Sequence, residues 1–266
     1  MMNYILITGA GGGMGKSVSR LLASEGYTVF AMDRQAPEFG EDNNIIPLCA
    51  DIRSSEEIRA AFETVRQHTD SLFAIIHFAG MYMLDSLVEI EDEEYERAFD
   101  VNTLGAFRVN KHFLPLLGEG SRIIITTSEL APLDPLPFTG VYAITKAALD
   151  RYAYSLRMEL QIKGIEVSVL RAGAVATSMI GASTEALNRF IDKTSLYSVN
   201  ARKFRDIVDS VEAKAIAPEK LAKKVLDILK KKHPKFAYSI NRNPLLRLLN
   251  ILPMSLRFYI IRKILA

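Results

Sequence analysis

The sequence predicts an α/β fold: a single-domain, doubly wound parallel sheet with a helical lid and a basic, apolar C-terminal extension. Three observations predict it. Short apolar runs alternate with segments of helical spacing over the first two thirds of the chain, the pattern of strands joined by crossover helices. Several runs are almost continuously apolar, as strands covered on both faces must be. A glycine cluster stands between the first run and the first helical segment, where the chain must turn sharply from strand into helix.

Each element follows in order. Residues 3–8 form a short apolar strand. Residues 13–24 have helical spacing, with Met14, Val18, Leu21 and Leu22 on one side. Strands are expected at 27–32 and 45–49. Ser54 caps a helix running to about residue 68, and Glu57 three residues on completes a capping box. Residues 72–77 are a buried strand. Residues 91–117 read as helix, interrupted near Asn102. A strand with three consecutive isoleucines covers 122–127, a long helix 139–163, and a strand 166–170. Residues 177–216 are more polar and less regular, and are read as a helical lid over the carboxyl edge of the sheet. Pro218 starts another amphipathic helix, and 236–240 forms a last strand. The domain therefore spans 1–240, and the extension spans 241–266. There is no internal repeat.

Composition bounds the reading. Hydrophobic residues make up 49% of 266, ample for one large core. The single cysteine, Cys49, excludes an internal disulfide and suits a reducing compartment. It is expected to be a small buried residue. No basic stretch with a long apolar run precedes the first strand, so no secretory signal is expected, and the reading is cytoplasmic. The formal net charge of +2 conceals an asymmetry. After Asp227 there are nine cations and no acid, whereas the rest carries a net charge of −7. Such a tail points to an acidic partner surface; nucleic acid is not among the expected partners.

The glycine cluster Thr8-Gly9-Ala10-Gly11-Gly12-Gly13-Met14-Gly15 carries the first chemistry. Glycines let a pyrophosphate approach the backbone, and the helix N-terminus beyond them offers free N–H groups and a positive dipole end. Asp33 follows the second strand, 18 residues past Gly15. Its carboxylate can accept from both ribose hydroxyls and would repel a 2′-phosphate, which favours NAD over NADP. Arg34 next to it argues the other way. Asp51 and Ile52 end the third strand, where an adenine ring would lie.

Tyr142 and Lys146 lie four residues apart in the long helix and share one face. A phenol has an unperturbed pKa of ~10, and a nearby ammonium favours the phenolate. The pair can then exchange a proton with a substrate oxygen. Together with the glycine loop, these residues resemble the short-chain dehydrogenase/reductase family in its compact form, over residues 3–177. Thr8 to Gly15 resembles the family's T-G-x-x-x-G-x-G, Tyr142 and Lys146 its Y-x-x-x-K. Asn102 and Ser128 resemble its active-site Asn and Ser, and Thr177 the Thr that holds the nicotinamide amide. The resemblance implies a Rossmann-like fold and a small alcohol or ketone as substrate. It implies that Tyr142 moves the hydroxyl proton, Lys146 binds the nicotinamide ribose and lowers the tyrosine pKa, Ser128 polarises the substrate oxygen, and Asn102 positions a relay water. Hydroxysteroid- and retinol-type members point to a lipid-like alcohol. Members are usually dimers or tetramers.

The chain departs from the family pattern in places. The family's N-N-A-G is His77-Phe78-Ala79-Gly80, in which Ala79 and Gly80 are read as cofactor-lining and His77 as structural. Local packing must be rebuilt without the amides. The family's P-G is Ala172-Gly173, which is expected to loosen the loop under the nicotinamide. Ser128 precedes Tyr142 by 14 residues, one more than the family spacing, and 132–137 is expected to absorb the extra residue. Two other classes stay open. Gly9, Gly12 and Gly15 also fit the G-x-x-G-x-x-G of the extended branch, which includes sugar-nucleotide epimerases with tightly held NAD. A cofactor-sensing protein without catalysis is the other, though it should have lost Tyr142 or Lys146.

In the extension, Met254, Phe258, Ile261 and Leu265 fall on one helical stripe. Arg247, Arg257, Arg262, Lys263 and Pro253 interrupt it too often for a membrane span. An interfacial helix on an anionic membrane is one reading; a helix covering its own domain or a second subunit is the other.

Overall fold

A computed structural model describes residues 3–212 and 214–266, with all side chains in that span except those of 178–183 and 211–212. Met1 and Met2 lie outside the described residues. Seven parallel strands are β1 (Tyr4–Thr8), β2 (Thr28–Asp33), β3 (Ile45–Cys49), β4 (Leu72–His77), β5 (Leu117–Ser128), β6 (Glu166–Ala172) and β7 (Ala237–Ile240). Their order is β3-β2-β1-β4-β5-β6-β7. The chain reverses direction across the sheet between β1 and β4, which opens a crevice at their carboxyl ends.

Side-chain alternation splits the core in two. Ile5 and Ile7 of β1 pack with α1 (Gly13–Ser24) and α8 (Pro218–Leu229). Leu6 between them points the other way, toward Ile58 of α2 (Ser55–Arg66) and Phe113 of α4 (Gly105–Phe113). The long α5 (Gly140–Leu160) closes the same side further along, with Leu149 and Ala153 on β5 and β6. Each such fully buried aliphatic side chain contributes roughly 1.5–3 kcal/mol.

The expected helix 91–117 is three pieces. α3 (Asp92–Phe99) and α4 flank one π-helical turn, Asp100–Leu104, which contains Asn102; Leu117 already belongs to β5. Ser54 caps α2 by accepting from Glu57 N at 3.2 Å. The reciprocal half of the capping box is absent, because the Glu57 carboxylate accepts from Asp51 N instead, at 2.8 Å. Cys49 is exposed, not buried, because β3 is an edge strand. Pro47 faces outward on that edge.

The lid is helical: α6 (Ser178–Lys193) and α7 (Ser198–Glu212). Residue 213 of the expected span lies outside the described residues. Glu89 anchors the α6–α7 connection, accepting from Thr194 Oγ1, Ser195 N and Leu196 N at 2.6–3.1 Å. The extension forms α9 (Pro244–Ile251) and α10 (Met254–Leu265). Its predicted stripe is divided between two surroundings. Leu265 and Ile261 join the lid cluster with Phe204 and Leu187, whereas Met254 and Phe258 are exposed. Arg257 takes their place inside, paired with Asp134. No described helix is long and apolar enough to cross a membrane.

Candidate active site

The turn after β1 is held by close backbone approaches. Gly9 has φ +68°, and a Cβ there would lie 2.4 Å from Ala79 N. A Cβ on Gly15 would lie 2.2 Å from the Gly9 carbonyl, and one on Gly13 would lie 2.7 Å from the Thr177 side chain. Larger residues would push these segments apart. Gly12 starts α1 with no side-chain cap and no acid in the first turn, so the N–H groups there point outward as donors. Gly11 N donates to Asp33 Oδ2 at 2.9 Å, which fixes that carboxylate at the lip of the turn. A cleft of about 610 Å³ runs along this edge. Met14, Ala79, Gly80 and Thr177 line its inner end, and Asp33, Arg34, Asp51 and Ile52 its outer end. Thr8 is buried behind the turn, with its hydroxyl 3.4 Å from Ala79 N. The Asp51 carboxylate is taken by Arg53 at 2.6 Å, a hydrogen bond that holds it below the usual carboxylate range. The cradle and the uncapped helix end fit the diphosphate of a dinucleotide.

A second, apolar chamber of about 180 Å³ adjoins the inner end. Ser128, Tyr142 and Lys146 all line it, together with Met14, Gly80 and Thr177. β5 ends at Ser128, and α5 brings Tyr142 and Lys146 past it on one face. The Ser128 hydroxyl accepts from Leu130 N at 3.2 Å and shares the chamber wall with the Tyr142 phenol. Lys146 Nζ lies 5.7 Å from the Tyr142 ring centroid. Asn102 sits behind this group. Its Oδ1 accepts from Met81 N at 2.8 Å, and its Nδ2 donates to Met81 O and Thr145 Oγ1, both at 3.0 Å. A Cβ on Gly80 would be 3.2 Å from both Asn102 Oδ1 and Lys146 Nζ, so glycine allows these two polar ends to converge. Burial pushes the Tyr142 phenol up to about 12, opposed by the nearby Ser128 hydroxyl and assisted by the charge of Glu129. Burial also pushes Lys146 down to about 8. The expected lowering of the phenol by the ammonium is therefore not the balance in the protein itself. Desolvation of the charged form outweighs it.

The departures from the expected pattern are rebuilt locally. His77 is buried, and its Nε2 meets Asn110 Oδ1 at 2.9 Å while Nδ1 meets Thr8 Oγ1 at 3.4 Å. Asn110 Nδ2 in turn donates to the Tyr152 hydroxyl at 3.1 Å. Imidazole thus ties β1, β4, α4 and α5 together where an amide was expected, and burial holds it neutral, down to about 4. The Ala172-Gly173 loop is pinned, not loosened. Gly173 N donates to Ile240 O at 3.0 Å, and a Cβ on Gly173 would meet Asn241 O at 1.9 Å. Asn241 Nδ2 also donates to Ala174 O at 2.8 Å. Ser128 and Tyr142 line one chamber, and from residues 132–137 between them Asp134 N donates to Asn250 Oδ1 at 2.7 Å.

Residues 3–188 match the family model described as short chain dehydrogenase. The chain belongs to the short-chain dehydrogenase family. The oxidoreductase is 31% identical over 187 residues to a hydroxynaphthalene reductase-like protein, Arp2, of Metarhizium acridum, covering 67% of this chain and 70% of that one. It is 31% identical over 187 residues to mouse estradiol 17-beta-dehydrogenase 2, covering 66% of this chain but only 49% of the mouse protein. Solved structures share the fold. A short-chain dehydrogenase from Streptomyces avermitilis superposes with TM-score 0.75 at 18% identity, over 90% of this chain and 88% of that one. One from Burkholderia cenocepacia, solved with NADP, gives 0.72 at 20% identity, over 100% and 98%. A Brucella melitensis 3-ketoacyl-(acyl-carrier-protein) reductase, complexed with NADH, gives 0.72 at 20%, over 90% and 96%.

The family match ends at residue 188, and the dehydrogenase's chamber does not. Phe204, Ile207 and Val208 of α7 and Leu246 of α9 form its outer wall. Of the polar lining residues that no sequence motif marks, Glu129 carries a charge. Glu129 is 5% exposed, and burial raises its carboxyl above the usual range. Its Oε2 accepts from Asn243 N at 2.6 Å. Glu129 follows Ser128 directly, which was a signal available in the sequence, but its partner lies 114 residues away.

Proposed function

We propose that this enzyme transfers a hydride between NAD(H) and the carbinol or carbonyl carbon of an apolar secondary alcohol or ketone. The convergence of Ser128, Tyr142 and Lys146 on one chamber, at the inner end of the glycine-turn cleft, carries this reading. The glycine turn from Thr8 to Gly15 and the N-terminus of α1 hold the diphosphate. Asp33 takes the adenosine ribose hydroxyls, Asp51 and Ile52 border the adenine, and Ala79, Gly80 and Thr177 border the nicotinamide half. The nicotinamide supplies or accepts the hydride when bound. Tyr142 gives its phenolic proton to the carbonyl oxygen in reduction and takes it back in oxidation. Ser128 holds that oxygen by a second hydrogen bond. Lys146 binds the ribose, and its ammonium stabilises the phenolate as it forms. Asn102 holds the relay end of this group in place.

Asp33 supports NAD over NADP, since its carboxylate, fixed by Gly11 N, would oppose a 2′-phosphate. The apolar outer wall supports a lipid-like substrate, and the mouse relative's name gives a steroid, estradiol. In this reading residues 1–240 are the catalytic domain and 241–266 an extension of it. A second copy packs on α4 and α5, which leave Phe107 and Met158 exposed beside the exposed Leu104 of the π-helical turn, giving a dimer or tetramer. The enzyme works in the cytoplasm, against the inner face of a membrane. The test is an absorbance screen at the NADH band, with NAD and NADP separately, across steroid, aliphatic and sugar alcohols. Turnover with NAD on apolar secondary alcohols is expected. Tight NAD binding without NADH release on any alcohol would overturn the reading.

A further inference from the structure

We propose that the outer face of α9 and α10 is a docking surface for an anionic phospholipid bilayer. This specifies the membrane placement given above, and it does not depend on the hydride chemistry. The two helices leave large apolar side chains in water: Ile251 is 78% exposed, Phe258 64% and Met254 61%, with Leu245, Leu248 and Tyr259 also exposed. A cluster of this kind on one chain marks an interaction site. Its charge identifies the occupant. Among the nine cations after Asp227, Lys230 is paired with Glu25, and the stretch around Lys231 and Lys235 lies at the opposite, amino end of the strands, beside Arg122 and Ser168. Arg257 is turned inward onto Asp134. Arg247, Arg262 and Lys263 remain exposed on the two helices, and no acid occurs anywhere after Asp227.

A second copy of the chain is disfavoured here. A twofold contact would set this cationic face against itself, and α4 and α5 offer another apolar face. Anionic lipid satisfies both properties together, headgroups meeting the cations and acyl chains the apolar residues. Helices of 8 and 12 residues are too short to cross a bilayer and would lie in its surface. The helices that carry the docking face also wall the active site with their inner sides. Leu246 lines the chamber, Asn243 N is held by Glu129, and Leu265 packs into the lid cluster. An apolar substrate could therefore pass from the bilayer to the chamber without a step through bulk water.

The test is co-sedimentation of the full-length protein with phosphatidylcholine vesicles, with and without phosphatidylserine, at low and high salt. Three proteins are compared: wild type, Arg247→Glu with Lys263→Glu, and Met254→Ser with Phe258→Ser. Binding to the anionic vesicles alone, released by salt, is expected. Each cation near such a surface strengthens binding about fivefold, so the charge-reversed protein should bind at least about tenfold more weakly. The serine protein should also lose binding, while thermal unfolding stays within a degree or so of wild type, since all four side chains are exposed. Equal binding to neutral and anionic vesicles, no binding by the wild type, or variants that bind like the wild type would overturn the proposal. So would variants that reduce the oligomer in sedimentation velocity, which would make this face a contact between copies. NADH titration of the same samples reports separately on the cofactor reading.

Discussion

The cofactor side and the substrate side of this active site are built in different ways. The cofactor side is local. Thr8 to Gly15, Asp33, and Tyr142 with Lys146 each sit within a short stretch whose spacing carries the geometry. The substrate side is assembled from segments far apart in the chain: Glu129 with Asn243, Asp134 with Arg257, and α7 with the last turn of α10. The family match covers the first side and stops within the lid. Hydride chemistry is thus tied to a fixed frame, while selectivity rests on walls that can change without disturbing it.

The contrast can be broken in five ways, from the largest effect down. Tyr142→Phe should lower turnover by about 10²–10⁴-fold and leave NADH affinity unchanged in a fluorescence titration; activity within a few-fold of wild type would remove the phenol from the mechanism. Gly9→Ala should weaken NADH binding and lower stability by more than about 1 kcal/mol, because the position has positive φ and no room for a methyl group. Chemical denaturation measures the second effect, and an unaltered midpoint would show that the turn is more forgiving than its geometry. His77→Asn tests the rebuilt frame through pH. The native imidazole titrates near 4, against 6.5 for the unperturbed group, so the unfolded chain binds the extra proton between those values. Stability should therefore be full above about pH 6.5 and decline toward pH 4, by up to ~1.4 kcal/mol per unit. The asparagine variant should lose that slope in pH-dependent denaturation.

Phe204→Ala, on the substrate side, should change the ranking of alcohols by kcat/KM several-fold without altering cofactor affinity. A matching loss of NADH binding would show that the two sides are not separable. The smallest effect belongs to Glu129→Gln. Removing a negative charge from beside Tyr142, where it raises the phenol, should move the oxidative pH–rate profile downward. An upward shift would reverse the sign of that interaction.

Legibility followed the same division. The bounds of α1, β3 and β4 could be read directly, because apolar periodicity is a property of neighbouring residues. The glycine turn was readable for the same reason. The π-helical turn was visible only as an interruption near Asn102. Glu57 was assigned to the Ser54 cap because three-residue spacing is all a sequence shows; Asp51 N competes for the same carboxylate in space. The inward turn of Arg257 was hidden altogether. Helical spacing put Met254, Phe258, Ile261 and Leu265 on one stripe, and nothing local reveals an aspartate 123 residues earlier. Ala172 in place of proline suggested slack, yet the restraint there comes from Asn241, across β7.

Pro47 sits on the free margin of β3, and it has no N–H with which to recruit a further strand. The sheet is thereby closed to extension on that side. If the protein is crowded or partly opened, cross-β growth must begin elsewhere, and replacing Pro47 with valine should increase aggregation on heating while leaving catalysis intact.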